Sequence, residues 1–495
     1  MKFYSTRDCS QTTYSAAQVI KQGLADDGGL FVPESIPALT ENDIQRLTAL
    51  SYPERAADIL GRFLTDYTAE ELLADCRAAY SEPSFEGGIA PLKHLDSKTS
   101  VLELWHGPTA AFKDMALQIM PRLLSRALVK TGEKRTSLIL VATSGDTGKA
   151  ALEGYKDIDG VKIIVFYPVD GVSTVQKLQM ATQSGNNVAV RAIHGNFDDA
   201  QTGVKILFSD ETLAKELDEM GVFLSSANSI NWGRLAPQIV YYVSAYCDLL
   251  AEGKIRMGEE INVCVPTGNF GNIFAAYLAK RMGLPLGKLI CASNANNILT
   301  DFLRTGVYDR NRDFYLTMSP SMDILISSNL ERLLYFVAGH EKTIGYMKAL
   351  KETGRYEVDP EILTEINKTF IGYCADEEKT AQTILANNQN FGYLIDTHTA
   401  VACSAAAQYS ADMPQDDRIT VVASTASPYK FASNVYRSLT GKEADSDLAA
   451  LEQLREVSGV EITYPLRGLE SRTVRFKEVI SPEEMRRAVT DFAKQ

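Results

Sequence analysis

The sequence turns on Leu104-Trp105-His106-Gly107-Pro108-Thr109-Ala110-Ala111-Phe112-Lys113-Asp114. One lysine lies in a short loop rich in aromatic and turn-forming residues. Before it, Ser100–Trp105 alternates as a strand does; after it, Met115–Val129 has helical spacing, with Leu117, Met120, Leu124 and Leu128 on one face. Pro121 is expected to kink or break that helix. A lysine that acts as a nucleophile must be neutral part of the time, which requires partial removal from water. Trp105, Pro108 and Phe112 supply apolar cover. An isolated lysine ahead of a helix is ordinarily a solvated surface group, so the surroundings must carry the argument.

Outward from this loop, one unit repeats: apolar strand, glycine-rich turn, helix. Ser137–Thr143 leads into Ser144-Gly145-Asp146-Thr147-Gly148 and a helix from Lys149. Val161–Pro168 and Asn187–Ile193 are further strands, each followed by a helix. Ile261–Pro266 runs into Gly268-Asn269-Phe270-Gly271-Asn272 and the helix Ile273–Met282. Lys288–Ala292, Tyr393–Asp396 and Arg418–Ala423 complete the expected strands. Continuous apolar strands alternating with helices predict parallel α/β sheets covered on both faces. Residues 1 to about 95 read as a mostly helical leader, and residues 293–390 as mostly loop and helix.

The chain has 495 residues, enough for two or three domains. Its net charge of −13 argues against nucleic acid and anionic membranes as partners. No apolar run is long enough for a membrane span, and the N-terminus lacks a signal-peptide core. Seven scattered cysteines with no C-x-x-C pair predict reduced thiols in a cytoplasm. Five histidines without H-x-x-x-H spacing give no support for a metal site.

Two of the glycine-rich turns fit anion cradles. Gly268, Asn269, Phe270, Gly271 and Asn272 follow a buried strand and open a helix, where free N–H groups and the helix dipole favour phosphate; a plain tight turn is the alternative. Ser144, Asp146 and Thr147 sit in the same context. Gly148-Lys149 resembles part of a nucleotide loop, but Thr143 and Ala150 occupy positions that require Gly and Ser or Thr. Asn228, Ser229, Asn231 and Arg234 form a dense polar stretch in which Arg234 could grip a phosphate. The alternative is a cap for the apolar helix through Ile239 and Val243. Thr425 stands at the carboxyl end of a strand, the edge where α/β sheets gather ligands.

Taken together, these stretches resemble the threonine synthase family, pyridoxal-phosphate enzymes of the tryptophan-synthase-β fold type. The resemblance covers most of the chain. It rests on Asp27–Pro33, His106–Asp114, Ser144–Gly148, Gly195–Asp199, Asn228–Arg234, Gly268–Asn272, Asp396–Ala400 and Ser424–Phe431, in that order. Trp105 and Ala110 depart from the common pattern without removing a required chemical group.

The resemblance implies an α/β, fold-type II enzyme: a helical region over 1–95, a large cofactor-binding domain over 96–130 and 230–495, and a small α/β domain over 131–229. It implies pyridoxal 5'-phosphate held by Lys113 as an imine and by Phe112, Gly268–Asn272 and Thr425, with Thr425 at the ring nitrogen. Ser144, Asp146, Thr147, Asn228, Ser229, Asn231 and Arg234 are the implied contacts of O-phospho-L-homoserine. The implied reaction gives L-threonine and phosphate, and a serine/threonine dehydratase is the nearest rival. Both a monomer and a homodimer remain open.

Overall fold

The computed structural model describes residues 1–495 apart from Gln11, Glu82, Pro83, Ser144 and Gly171. Two parallel sheets organise it. The larger has six strands in the order Phe370–Cys374, Leu286–Ser293, Ile261–Pro266, Thr420–Ser424, Thr99–Glu103, Leu92–His94. All its pairings are parallel except the last. The smaller has five parallel strands: Val479–Ile480, Val188–Ile193, Val161–Pro168, Thr136–Ala142, Val222–Ser225. The inner strands are buried along nearly their whole length, as residues covered on both faces must be.

The helix Trp232–Ala251 runs through the centre. Almost every residue from Trp232 to Leu249 is buried, and a helix that is apolar all round belongs in a core. The N-terminal region adds the helices Ala16–Gln22, Glu41–Thr48, Tyr52–Phe63 and Ala69–Ala79. Four of their starts carry reciprocal capping boxes, at Ser15, Thr40, Ser51 and Thr68. Arg55 fastens this layer to the central helix through Ser244 and Asp248.

The break expected at Pro121 is present: the helix after the lysine is two pieces, Asp114–Leu117 and Met120–Lys130, with Pro121 in the first turn of the second. Three features differ from the sequence reading. Tyr393–Asp396 is not a strand. Asp396 caps the helix Thr397–Asp412, and Tyr393 hydrogen-bonds Glu103, so the segment is pinned by side chains. Phe370–Cys374, inside the stretch read as loop and helix, is the edge strand of the large sheet.

The last difference concerns the tail. The large domain was read as running to 495. Instead, Val479–Ile480 pairs with the outer edge of the small sheet, and Met485–Ala493 packs on its core through Met485, Val489 and Phe492. The charged pattern of this tail hides Met485, Ala488, Val489 and Phe492 at helical spacing.

Candidate active site

The lysine loop is laced to the end of the strand Thr420–Ser424. Leu104 N–H donates to the Ser424 carbonyl, Phe112 N–H to the Thr425 carbonyl, and Ser427 N–H to the Ala110 carbonyl. Trp105 Nε1 donates to Ser424 Oγ at 3.0 Å. Ala110 sits at φ +58°, a conformation that costs a non-glycine residue energy and is held here by those bonds. Asp114, wholly buried, accepts from Thr109 N–H and Oγ1, both at 2.8 Å. Burial pushes its carboxyl up to about 7, against the pull of those two bonds.

Lys113 therefore stands on a fixed base. Its side chain is 12% accessible. The amine lies 3.4 Å from Ser321 Oγ, 3.7 Å from Asp146 Oδ2 and 5.2 Å from the Phe112 ring centroid. Burial lowers its pKa; Asp146 opposes that, and nearby Arg234 and Lys430 reinforce it. This is the partly desolvated amine that a nucleophilic lysine requires.

Asp146 opens the helix Asp146–Tyr155 in the small unit. It takes an ion pair from Lys430 Nζ at 2.9 Å and a hydrogen bond from Gln176 Nε2 at 2.9 Å. Burial alone would push its carboxyl up, but Lys430 and Lys113 outweigh that and hold it below the usual carboxylate range. Two donors expected to face an anion are spent elsewhere: the N–H groups of Gly145 and Gly148 both donate to Thr143 Oγ1, at 3.0 Å. Thr147 is half-buried on the first turn. Ser144 lies outside the described residues.

In the second glycine-rich turn, Phe270 adopts φ +62° and Gly271 opens the helix Gly271–Met282. Among the described residues, the N–H groups of Gly268, Asn269, Phe270, Gly271 and Asn272 donate to no turn, loop or cap acceptor. Ser327 and Asn329 hold the turn from behind through the carbonyls of Gly268 and Asn269. A Cβ on Gly268 would come 2.7 Å from the Ser321 carbonyl, so glycine is what lets this turn and the Ser321 loop meet. Asn272 is buried; its Oδ1 accepts from Tyr241 and Tyr242, while its Nδ2 has no partner among the described residues.

The polar stretch divides in two. Asn231 is a cap: its Oδ1 accepts from Gly233 N–H at 2.8 Å, and its Nδ2 donates to the Ile20 carbonyl at 2.9 Å. Both ends of its side chain are thus engaged within the fold. Arg234 is different. It is 5% exposed, Nη1 donates to the Ala227 carbonyl at 2.7 Å, and buried Nε has no partner among the described residues. Burial lowers its pKa to about 10. Asn228 is exposed and Ser229 half-buried beside it, and the Ser229 carbonyl faces Asn329 Nδ2.

Three participants escaped the sequence reading. Lys430 is wholly buried and donates to Thr109 O and Gln179 Oε1 besides pairing with Asp146. Ser321 touches the lysine. His398 accepts from Ser321 N–H at 3.1 Å through Nε2 and meets Asp396 through Nδ1 at 2.8 Å, which orients the ring and holds the Ser321 loop. Lys430 and His398 lie within stretches that carry the family resemblance. Ser321 gives no local signal.

Three family models match the chain: "Threonine synthase N terminus" over residues 2–80, "Pyridoxal-phosphate dependent enzyme" over 91–425 and "Threonine synthase, C-terminal" over 399–489. The chain is 40% identical to threonine synthase-like 1 of Homo sapiens over 461 residues, which is 89% of this chain and 61% of that protein's length. It is 39% identical to threonine synthase of Pseudomonas aeruginosa over 450 residues, covering 89% of this chain and 91% of the relative. The crystal structure of threonine synthase from Brucella melitensis, solved with PLP bound, superposes with a TM-score of 0.87 at 35% identity over the whole of both chains. With the family models spanning nearly all of the sequence and the fold shared from end to end, the chain belongs to the threonine synthase family of pyridoxal-phosphate-dependent enzymes.

Proposed function

We propose that the chain converts O-phospho-L-homoserine and water to L-threonine and inorganic phosphate. The observation that carries this reading is Arg234, a buried guanidinium whose Nε has no partner among the described residues, close enough to Lys113 to depress its pKa. A buried cation without a carboxylate partner is costly unless a ligand supplies the counter-charge. Together with the turn at Gly268–Asn272, it makes two phosphate sites beside one amine. The substrate of a serine/threonine dehydratase carries a carboxylate but no phosphate and has no need of the second.

The residues fit pyridoxal phosphate. The N–H groups at Gly268–Asn272 and Asn272 Nδ2, without partners among the described residues, form a donor set for its phosphate. Lys113 supplies the amine, Phe112 an apolar neighbour and Thr425 a hydroxyl for the ring nitrogen. When bound, the cofactor supplies an electron sink for the negative charge left on the substrate by proton removal.

The chain's own residues manage protons and charge. Lys113 Nζ takes the proton from the substrate α-carbon and, by its position, serves the β-carbon too. Arg234, with Asn228 and Ser229 at its loop, holds the substrate phosphate until it leaves the γ-carbon. Thr147, Ser144 and the Asp146 turn receive the substrate carboxylate end. Asn231 fixes the Arg234 loop without touching substrate. Over the cycle the β-carbon exchanges one hydrogen for the hydroxyl of water. The γ-carbon exchanges phosphate for a proton, and water's second hydrogen goes to the released phosphate.

The seven free cysteines support a reducing, cytoplasmic setting. Among the described residues, no helix is long and apolar enough to cross a membrane.

The test is an assay of phosphate and amino acid together. Equal amounts of phosphate and threonine from O-phospho-L-homoserine are expected. Keto-acid formation from threonine, with no phosphate released from phosphohomoserine, would overturn the reading in favour of the dehydratase.

A further inference from the structure

Lys430 has no role in the reaction as described, yet it is among the most enclosed cations in the chain. Its side chain is 0% accessible, and Nζ meets Asp146 Oδ1 at 2.9 Å, Gln179 Oε1 at 2.9 Å and the Thr109 carbonyl at 3.0 Å. Asp146 thus has a cation on each oxygen, Lys430 at Oδ1 and Lys113, at 3.7 Å, at Oδ2. The other charged groups near these two amines are Arg234 by Lys113, and Asp114 and Lys149 by Lys430. Lys149 is itself paired with Glu153 at 2.9 Å.

We infer that Lys430 is a positioning residue for the Lys113 amine: it keeps Asp146 charged and in place whether or not Lys113 carries its proton. A buried carboxylate with Lys113 as its sole counter-cation would hold that proton in place, because losing it would strand the charge. A second cation removes the penalty. Lys113 can then become neutral while the Asp146 turn stays beside it. Lys430 also ties three parts of the fold together: the lysine loop at Thr109, the small-unit helix at Gln179 and the small-unit turn at Asp146.

The inference rests on Lys113 being the lysine that carries the cofactor, and it is tested at that step rather than by turnover. The amine nitrogen bonds to the cofactor's aldehyde carbon, and the aldehyde oxygen leaves as water with both amine protons. The rate of this attachment to cofactor-free protein, followed against pH by loss of the free-aldehyde absorbance, reports the neutral amine. Lys430→Met should raise the midpoint by about one pH unit or more. Lys430→Arg should restore it, whereas a packing role alone would lower stability and leave the midpoint unmoved. Asp146→Asn should lower the midpoint, and the double variant Lys430→Met/Asp146→Asn should return close to the parent.

An unchanged midpoint in Lys430→Met, or a double variant that keeps the value of Asp146→Asn, would overturn the inference. The second comparison decides the matter if Lys430→Met does not fold, since removing both members of a buried pair is better tolerated than removing one. Normal attachment without phosphate release would defeat the proposed reaction and leave this inference standing.

Discussion

Two buried groups near the Lys113 amine do opposite work. Arg234 keeps Nε without a partner among the described residues, as the proposed hold on a substrate phosphate requires. Arg234→Ala is expected to weaken phosphohomoserine binding about a hundredfold, the worth of a charge-assisted bond to phosphate, and cofactor binding much less. Separate titrations of the two ligands check this, and equal losses would place Arg234 at the cofactor's phosphate.

Asp114 is held by burial with its pKa near 7. Because that value lies above its unfolded one of 3.8, the folded state binds the extra proton between them. The resulting stability is complete below about pH 4 and is lost as pH rises through 7, by about 1.4 kcal/mol per pH unit for one proton. Asp114→Asn should remove that slope from a series of urea midpoints between pH 4 and 7.

At the scale of elements, the site exists because two helices touch. A Cβ on Gly154, in the helix that Asp146 begins, would fall 1.8 Å from the Leu117 carbonyl, in the helix that follows Lys113. Both atoms belong to backbone, so neither can swing away. Gly154→Ala must part the helices, and a cost of about 3 kcal/mol is expected in a urea titration, with weaker cofactor binding beside it.

The same contact shows what a sequence can and cannot reveal. The placing of Lys113 in a loop between strand and helix, and of Gly268–Asn272 in a strand-to-helix turn, was legible because both are written in adjacent residues. The strand–turn–helix rhythm was legible because burial on both faces leaves continuous apolar runs. The partners of Lys430 at Thr109 and Gln179 lie 321 and 251 residues away, and Ser321 lies 208 from Lys113. No local pattern records such a meeting. Asn231 shows the converse: cap and ligand sites favour the same residue types, and the contact with Ile20 and the cap bond to Gly233 are what the sequence does not record.

For the whole molecule, the tail matters more than its charged composition suggests. Ile480, Met485, Val489 and Phe492 share one apolar core with Leu138 and Ile164 of the small sheet and with Val204 and Leu213 of the helices beside it. Arg475 adds a backbone bond to Ala181 and a side-chain bond to the Gln183 carbonyl. A chain ending at Thr473 should lose several kcal/mol from a spectroscopic signal of the small unit and bind a dye specific for exposed apolar surface.

The strand that completes the small sheet is made last. During synthesis, residues 136–225 leave the ribosome with one sheet edge uncapped, and Val479–Ile480 follows only after more than two hundred further residues. Until then the nascent chain carries an open strand edge and an uncovered apolar face, the two features that invite misassembly. The small sheet is therefore completed late, and rapid synthesis or a missing chaperone should penalise the yield of this protein more than its equilibrium stability suggests.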